Sequence, residues 1–265
     1  MKKHIITCLL LCMPLLFSCS DEIPYGERYE NLPPVEPKRH ILIEDFTGQK
    51  CSNCPEAHKV IHELKALYGE YVIAVAIHAG HFGIAENSKP GIIGLMQPEG
   101  NTYANSWGIE TYPAGIINRA SGILKHSDWP AYARQALTEP TNFEITLACE
   151  VIADSIVINT TTLPSSNTND KMLQLWITES NVIAPQLNGK NEENNYINQH
   201  VYRASVNGSW GEKISLQEKV PHHTIHKIKV RDNWEIGHLS VIAFIYDEKD
   251  NSIQEACEFP LNTNK

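Results

Sequence analysis

The sequence predicts an α/β unit followed by an all-β sandwich, and two observations carry that prediction. First, an apolar segment holding Ile41, Leu42, Ile43 and Phe46 and the run YVIAVAIHAG from Tyr71 flank a stretch with helical spacing. That order of strand, helix and strand, with both strands nearly all apolar, is expected of parallel strands covered on both faces. Second, past Glu139–Pro140 the texture shifts to short alternating runs, FEITLACEV, SIVINTTTL, MLQLWITES, HVYRASV, HTIHKIKV, LSVIAFIYDE and SIQEACEF, parted by clusters such as SSNTND and EKDNS. Alternation marks strands with one buried face, and its repetition predicts an antiparallel sandwich, immunoglobulin-like in strand number and spacing.

In chain order, MKKHIITCLLLCMPLLFSC comes first: two lysines, an apolar run from Ile5 to Phe17, then a cysteine. The run is too short to span a bilayer and reads as a cleaved export signal over residues 1–18. Its end resembles the lipobox of bacterial lipoproteins, although Phe17 is an uncommon choice there, and the resemblance implies that Cys19 carries the lipid. Ser20-Asp21-Glu22 resembles the acidic signals that send some lipoproteins to the cell surface; a periplasmic face stays open. Residues 19–39 hold Pro24, Pro33, Pro34 and Pro37 among charged residues, as in a semi-extended tether.

The α/β unit spans 40–140. Within AHKVIHELKALYG, Val60, Ile61, Leu64 and Leu67 recur at helical spacing and Gly69 is a natural stop. A Gly/Pro-punctuated insertion from His81 to Gly100 precedes a short helix at Asn101–Trp107. AGIINR, Ala114 to Arg119, is a third strand, Ser121-Gly122 a turn, and Asp128–Leu137 a closing helix capped by Ser127 or Asp128. The sandwich takes 141–265, with the polar, Asn-rich stretch from Asn188 to Gln199 as one long loop.

Composition narrows function. Lys+Arg 22 against Asp+Glu 31, a formal −9, leaves no basic stripe for phosphates, so nucleic acid is not an expected partner. No Ser-His-Asp order, phosphate loop or paired-carboxylate motif stands out, and no cofactor is called for. After export, Cys51, Cys54, Cys149 and Cys257 remain in a compartment that permits disulfides. Adjacency favours Cys51 with Cys54, leaving Cys149 and Cys257 as a candidate second disulfide or as two free thiols.

The stretch EDFTGQKCSNCPEAHKVIHEL sets the functional question: redox couple, metal clamp or inert staple. No second CxxC exists to complete a four-thiolate zinc site. A CxxC entering a helix N-terminus puts the first sulfur near unpaired N–H groups and the helix dipole, which favour a thiolate. Cys51 is therefore the expected nucleophile and Cys54 the resolving thiol.

ILIEDFTGQKCSNCP resembles the thioredoxin superfamily pattern of apolar strand, Asp-Phe, four residues and CxxC. The resemblance implies a thioredoxin-like fold for 40–140, in which Asp45 is the buried acid that moves protons for the resolving cysteine. WGIETYPAGIIN resembles the family's Gly-Ile-x-x-x-Pro segment, which makes Pro113 the cis-proline that presents a client's backbone. The sequence departs from the family at Lys50, where an aromatic residue is usual, and at Ser52-Asn53. Taken with the lipobox, the segments EDFTGQKCSNCPEAH, AIHAGHF, YPAGIINR and HVYRASVNGSWGE resemble the 28-kDa outer membrane protein family of Gram-negative anaerobes, thioredoxin-like lipoproteins with a β-rich C-terminal domain. That implies an outer membrane lipoprotein held by its lipid, since no strand series is long enough for a spanning barrel.

Three functions follow as expectations. The first is thiol–disulfide exchange with protein or peptide thiols and disulfides. The second is a non-enzymatic surface-binding lipoprotein whose fold is a scaffold, with Trp176, Trp210, Trp234 and Tyr202 serving either as a binding face or as core packing. The third is metal delivery: Cys54, His58 and His62 recur every four residues, with His78 and His81 ending the second strand, and thiolate with imidazole suits Cu(I) or Zn. Copper chaperones of this fold usually place three residues between their cysteines, and this chain has two. His222, His223 and His226 read as a solvated strand face.

Overall fold

The computed structural model describes residues 35–261 apart from 87, 89 and 90. The expected signal segment 1–18, Cys19 and the tether to residue 34 lie outside the described residues.

Seven consecutive buried residues, Ile41–Thr47, form β1, and α1 follows at Cys54–Tyr68. Pro55 in the first turn, where its missing N–H costs nothing, and Gly69 at φ 59°, donating its N–H to the Lys65 carbonyl, set the ends of α1. Ala57, Val60, Ile61, Leu64 and Tyr68 bury one helical face. β2, Val72–His78, is again wholly buried and lies parallel to β1, with Asp45 opposite Ala76 and Thr47 opposite His78. α2 (Pro98–Trp107) begins three residues earlier than the sequence suggested, because Pro98 opens its first turn. β3 (Ala114–Ile117) runs antiparallel to β1, and α3 covers Trp129–Thr138.

The second half supplies β4 (Phe143–Ile152), β5 (Ser155–Pro164), β6 (Thr168–Glu179), β7 (Val182–Asn188), β8 (Asn191–Asn198), β9 (Val201–Ser205), β10 (Glu212–Leu216), β11 (His222–Lys229), β12 (Leu239–Asp247) and β13 (Ile253–Pro260). One sheet has the order β13-β12-β6-β9-β2-β1-β3, with β10 also on β6; β11-β5-β4 form a second sheet and β7-β8 a hairpin. β9 joins β2 in parallel at Val201 opposite Ala76, so the first sheet passes straight through the boundary expected at 140/141. Val35 onward forms one compact unit.

The reason lies in the strands themselves. β4 and β5 bury mainly one face and β11 alternates half-buried and exposed residues, whereas β12 and the second half of β6 are buried on both faces. One face of β6 and β12, with Leu175, Ile177, Val241 and Ala243, packs on Ile145, Ile156 and Ile158 of the second sheet. The opposite face, with Trp176, Ile242 and Phe244, joins Leu42, Phe46, Ile73, Tyr103 and Tyr202 in a core common to both halves. Trp176, Tyr202 and Trp234 are buried and Trp210 is half-buried against the same core as Trp176 and Tyr202, so the aromatic residues considered as a binding face serve as packing.

An ion pair sits inside that common core. Arg119 donates from Nε and Nη2 to the two Glu44 oxygens at 3.0 Å each, and both side chains are 0% exposed. The guanidinium carbon lies 5.0–5.8 Å from the ring centroids of Phe244, Tyr246, Trp107, Trp176 and Trp210. Cys149 on β4 and Cys257 on β13 are half-buried free thiols and not the second disulfide considered from sequence. Burial pushes Cys149 up to about 12 and Cys257 up to about 11, with mutual repulsion adding to Cys149, so thiolate attack, the route to a bridge, is disfavoured.

Candidate functional site

The site lies at the end of β1, where the chain turns through Gly48–Asn53 into α1. The turn is tight: a Cβ on Gly48 would come within 2.6 Å of the Phe82 backbone, and Lys50 N–H donates to the Phe82 carbonyl at 2.9 Å. Cys51 and Cys54 are joined as a disulfide with their Cα atoms 5.5 Å apart. Cys51 is 2% exposed and Cys54 0%.

Pro113, in a cis peptide bond with Tyr112, immediately precedes β3, whose first residue Ala114 pairs with Phe46. Topology therefore brings Pro113 to the same end of the sheet as the cysteine turn. Tyr112 meets Phe82 edge-on at 5.5 Å, and the exposed His81 ring lies tilted against Phe82 with centroids 3.9 Å apart.

Asp45, one register step behind the turn, is 0% exposed and neither carboxyl oxygen accepts a hydrogen bond. His58 Nε2 stands 3.6 Å from Oδ2, beyond hydrogen-bond reach. Burial alone pushes the Asp45 carboxyl up to about 8. His58, one turn into α1, is instead hydrogen-bonded to Tyr196 Oη at 2.8 Å and Thr47 Oγ1 at 3.2 Å.

The stretch expected as a loop at Asn188–Gln199 is part of the β7–β8 hairpin, with Val182 opposite Asn198 and Asn188 opposite Asn191. This hairpin covers the cysteine turn. Leu187 N–H donates to the Gln49 carbonyl at 2.7 Å and Gly189 N–H to the Ser52 carbonyl at 2.9 Å. Gln186, fully buried, donates from Nε2 to the carbonyls of Gly48 at 3.2 Å and Cys51 at 3.0 Å. Gln49 answers from the turn side, donating to the Pro185 carbonyl at 3.1 Å. Sequence reasoning missed Gln186, Gln49 and Tyr196 as site residues. The Asn188-Gly189 dipeptide, a common hairpin turn signal, was the cue that could have found the hairpin.

Between α1 and the end of the hairpin lies a cavity of about 670 Å³, floored by Asp45 and Ala76 and walled by His58, Tyr196, Ile197 and His200. Among the described residues no group of three or more His, Cys, Asp or Glu is arranged to hold a metal ion. The Cys54, His58 and His62 pattern does not converge: one member is in a disulfide, one is hydrogen-bonded to Tyr196 and Thr47, and His62 is exposed. His223 bonds Thr161 and His226 meets Glu212 on the β11 side of the second sheet, away from this cluster.

Burial pushes His58 down to about 4, His78 to about 3 with the charges of His58 and Arg203 adding, and His200 to about 4. Each folded value lies below the unfolded imidazole value of about 6.5, so the stability these groups contribute is present above that pH and lost as pH falls toward 4. In urea titrations between pH 7 and pH 4, a His78→Leu variant is expected to lose less stability on acidification than wild type; equal losses would refute this.

Residues 100–265 match the model of the family described as outer membrane protein Omp28. HBP35 of Porphyromonas gingivalis aligns in structure with a TM-score of 0.63 at 17% identity, over 87% of this chain and 79% of that one. A protein from Agrobacterium tumefaciens aligns with a TM-score of 0.54 at 13% identity, over 87% of this chain and 98% of that one. A domain of the outer membrane lipoprotein Omp28 from Porphyromonas gingivalis has a TM-score of 0.34 at 18% identity, over 46% of this chain and 89% of that domain. No curated protein matches the chain.

Proposed function

The chain belongs to the outer membrane protein Omp28 family and is an outer membrane lipoprotein, and from that premise we propose that it is a binding protein, with a thioredoxin-like scaffold whose disulfide is kept closed. The observation that carries this reading is the cover over the disulfide. Exchange requires a thiolate to reach a sulfur in line and the client's backbone to lie beside it. Here both cysteines are buried and the carbonyls of Gly48, Gln49, Cys51 and Ser52 already accept hydrogen bonds from the β7–β8 hairpin. The thioredoxin-like description rests on the strand, CxxC, helix and strand order and on Pro113 at the same sheet end.

The test is reduction of the folded lipoprotein in detergent with millimolar dithiothreitol, followed by alkylation and mass counting. The binding reading expects the Cys51–Cys54 bridge to survive in the native protein and to open in denaturant. Ready opening of the native protein would overturn it.

Asp45 favours a second reading, thiol–disulfide exchange, because a disulfide staple gives no reason to bury a carboxyl without partners. In that reaction Cys51 thiolate attacks a client disulfide, forming a mixed disulfide and releasing one client thiol. Cys54 then attacks Cys51, releasing the second; the client gains two electrons and the pair loses them. Asp45 takes the Cys54 proton, Pro113 presents the client backbone, and the hairpin has to lift. A Cys54→Ser variant that traps clients through Cys51 would favour exchange over binding.

A further inference from the structure

The cavity beside α1 has an unbalanced lining. Asp45 lies at its floor with both oxygens unpartnered, and Glu63 on its wall has a buried Oε2 that also accepts nothing. The cations around it are committed elsewhere: Lys59 to Glu56 at 2.7 Å, and Lys65 to Glu258 at 3.4 Å and the Val72 carbonyl at 3.2 Å. His58 and His200 are held neutral at neutral pH by burial, and Tyr196 is hydrogen-bonded to His58. Ile61, Ala66, Ala76 and Ile197 form the apolar part of the lining, beside His62 and Gln199. A buried carboxyl without a donor is costly, and a few convergent polar groups among apolar walls in a space of this size mark a small-molecule site.

Resting on the binding reading, we infer that this cavity binds a small organic cation, an aliphatic amine whose ammonium group pairs with Asp45 and whose methylenes lie on the apolar walls. The amine supplies the donors that Asp45 and Glu63 lack, and its charge is what no neighbouring cation provides. The ammonium group can belong to a free amine or to a lysyl side chain; the chemistry at Asp45 is the same.

Binding is coupled to loss of the Asp45 proton, so affinity rises with pH through Asp45's range. Burial sets that range; the titratable and charged groups around Asp45 are His58, Lys59, His62, Glu63 and Lys65 from α1, Tyr196 from β8, His200 before β9 and His78 at the end of β2.

The test is calorimetric titration of the full lipoprotein in detergent with 1,4-diaminobutane, with Nα-acetyl-lysine amide and with 1-butanol. Saturable binding of an amine, absence of 1-butanol binding, a loss of at least tenfold in affinity in Asp45→Asn and a smaller loss in Glu63→Gln are expected. The stronger of the two amines tells a free amine from a lysyl side chain. Ile197→Trp, which narrows the cavity without altering its charge, is expected to weaken binding as well. No saturable amine binding, or equal binding by wild type and a folded Asp45→Asn, would overturn the inference. Its failure is distinct from failure of the binding reading, which the reduction experiment decides separately.

Discussion

Glu44→Gln is expected to destabilise the protein by about 3–5 kcal/mol, because it leaves the Arg119 guanidinium as an uncompensated charge in the interior. For a chain of this size that corresponds to a melting temperature lower by roughly 6–20 °C. The rings around Arg119 contribute attraction to its cation, but they cannot replace two charge-assisted hydrogen bonds. Replacing both partners, Glu44→Leu with Arg119→Met, removes the desolvated charges together and is expected to recover most of the loss. Thermal unfolding followed by circular dichroism checks both. A single variant as stable as wild type, or a double variant worse than the single, would show that the pair is not what holds this region.

Asp45→Asn is expected to act in the opposite sense and to do so with pH. The folded value of about 8 lies above the ordinary carboxylate value of about 3.9. Below about pH 4 the carboxyl is protonated in both states. Between about 4 and 8 the unfolded chain has released a proton that the folded protein keeps, so wild-type stability falls as pH rises through this window. Four units amount to on the order of 5 kcal/mol at full extent. Asparagine cannot ionise, so the stability of Asp45→Asn relative to wild type is expected to increase by several kcal/mol between pH 4 and pH 8. Urea unfolding at the two pH values measures it, and a pH-independent difference would contradict the burial of an unpartnered acid.

These two residues show how unevenly the molecule was written in its sequence. β1, α1 and β2 are readable because their apolar spacing is regular and because Gly69 ends the helix where a positive φ is needed. Asp45 and Pro113 stood out only through resemblance to a family pattern; nothing in their own spacing announces burial or a cis bond. Glu44 gave no signal at all, since its partner is 75 residues away and a charged residue in an apolar strand has no local rule.

The β7–β8 hairpin was hidden for a different reason. Ile183 and Ile197 are exposed while Gln186 and Asn198 are buried, so polarity runs opposite to the usual alternation; hydrogen bonds to the cysteine turn hold the hairpin, beside a small apolar contact of Val182 and Ala184 with Leu95 and Val201. The division at 140/141 rested on a real change in texture. It did not reveal that MLQLWITES and LSVIAFIYDE, buried on both faces, belong in the middle of a shared sheet.

The way the chain enters the fold also has a mechanical consequence. Lys38 N–H donates to the Leu137 carbonyl at 2.8 Å, Arg39 Nη2 to the Ile253 carbonyl at 2.6 Å and His40 N–H to Glu255 at 3.0 Å. β1 then runs between β2 and β3 before reaching the cysteine turn. For a lipoprotein anchored at Cys19, as the sequence predicts, any tension from the membrane arrives at residues 38–40. There it divides among α3, β13 and the ladders of β1, loaded along their length. The far end of β1, with its disulfide and its cavity, sits behind that grip, sheltered from the pull of the anchor.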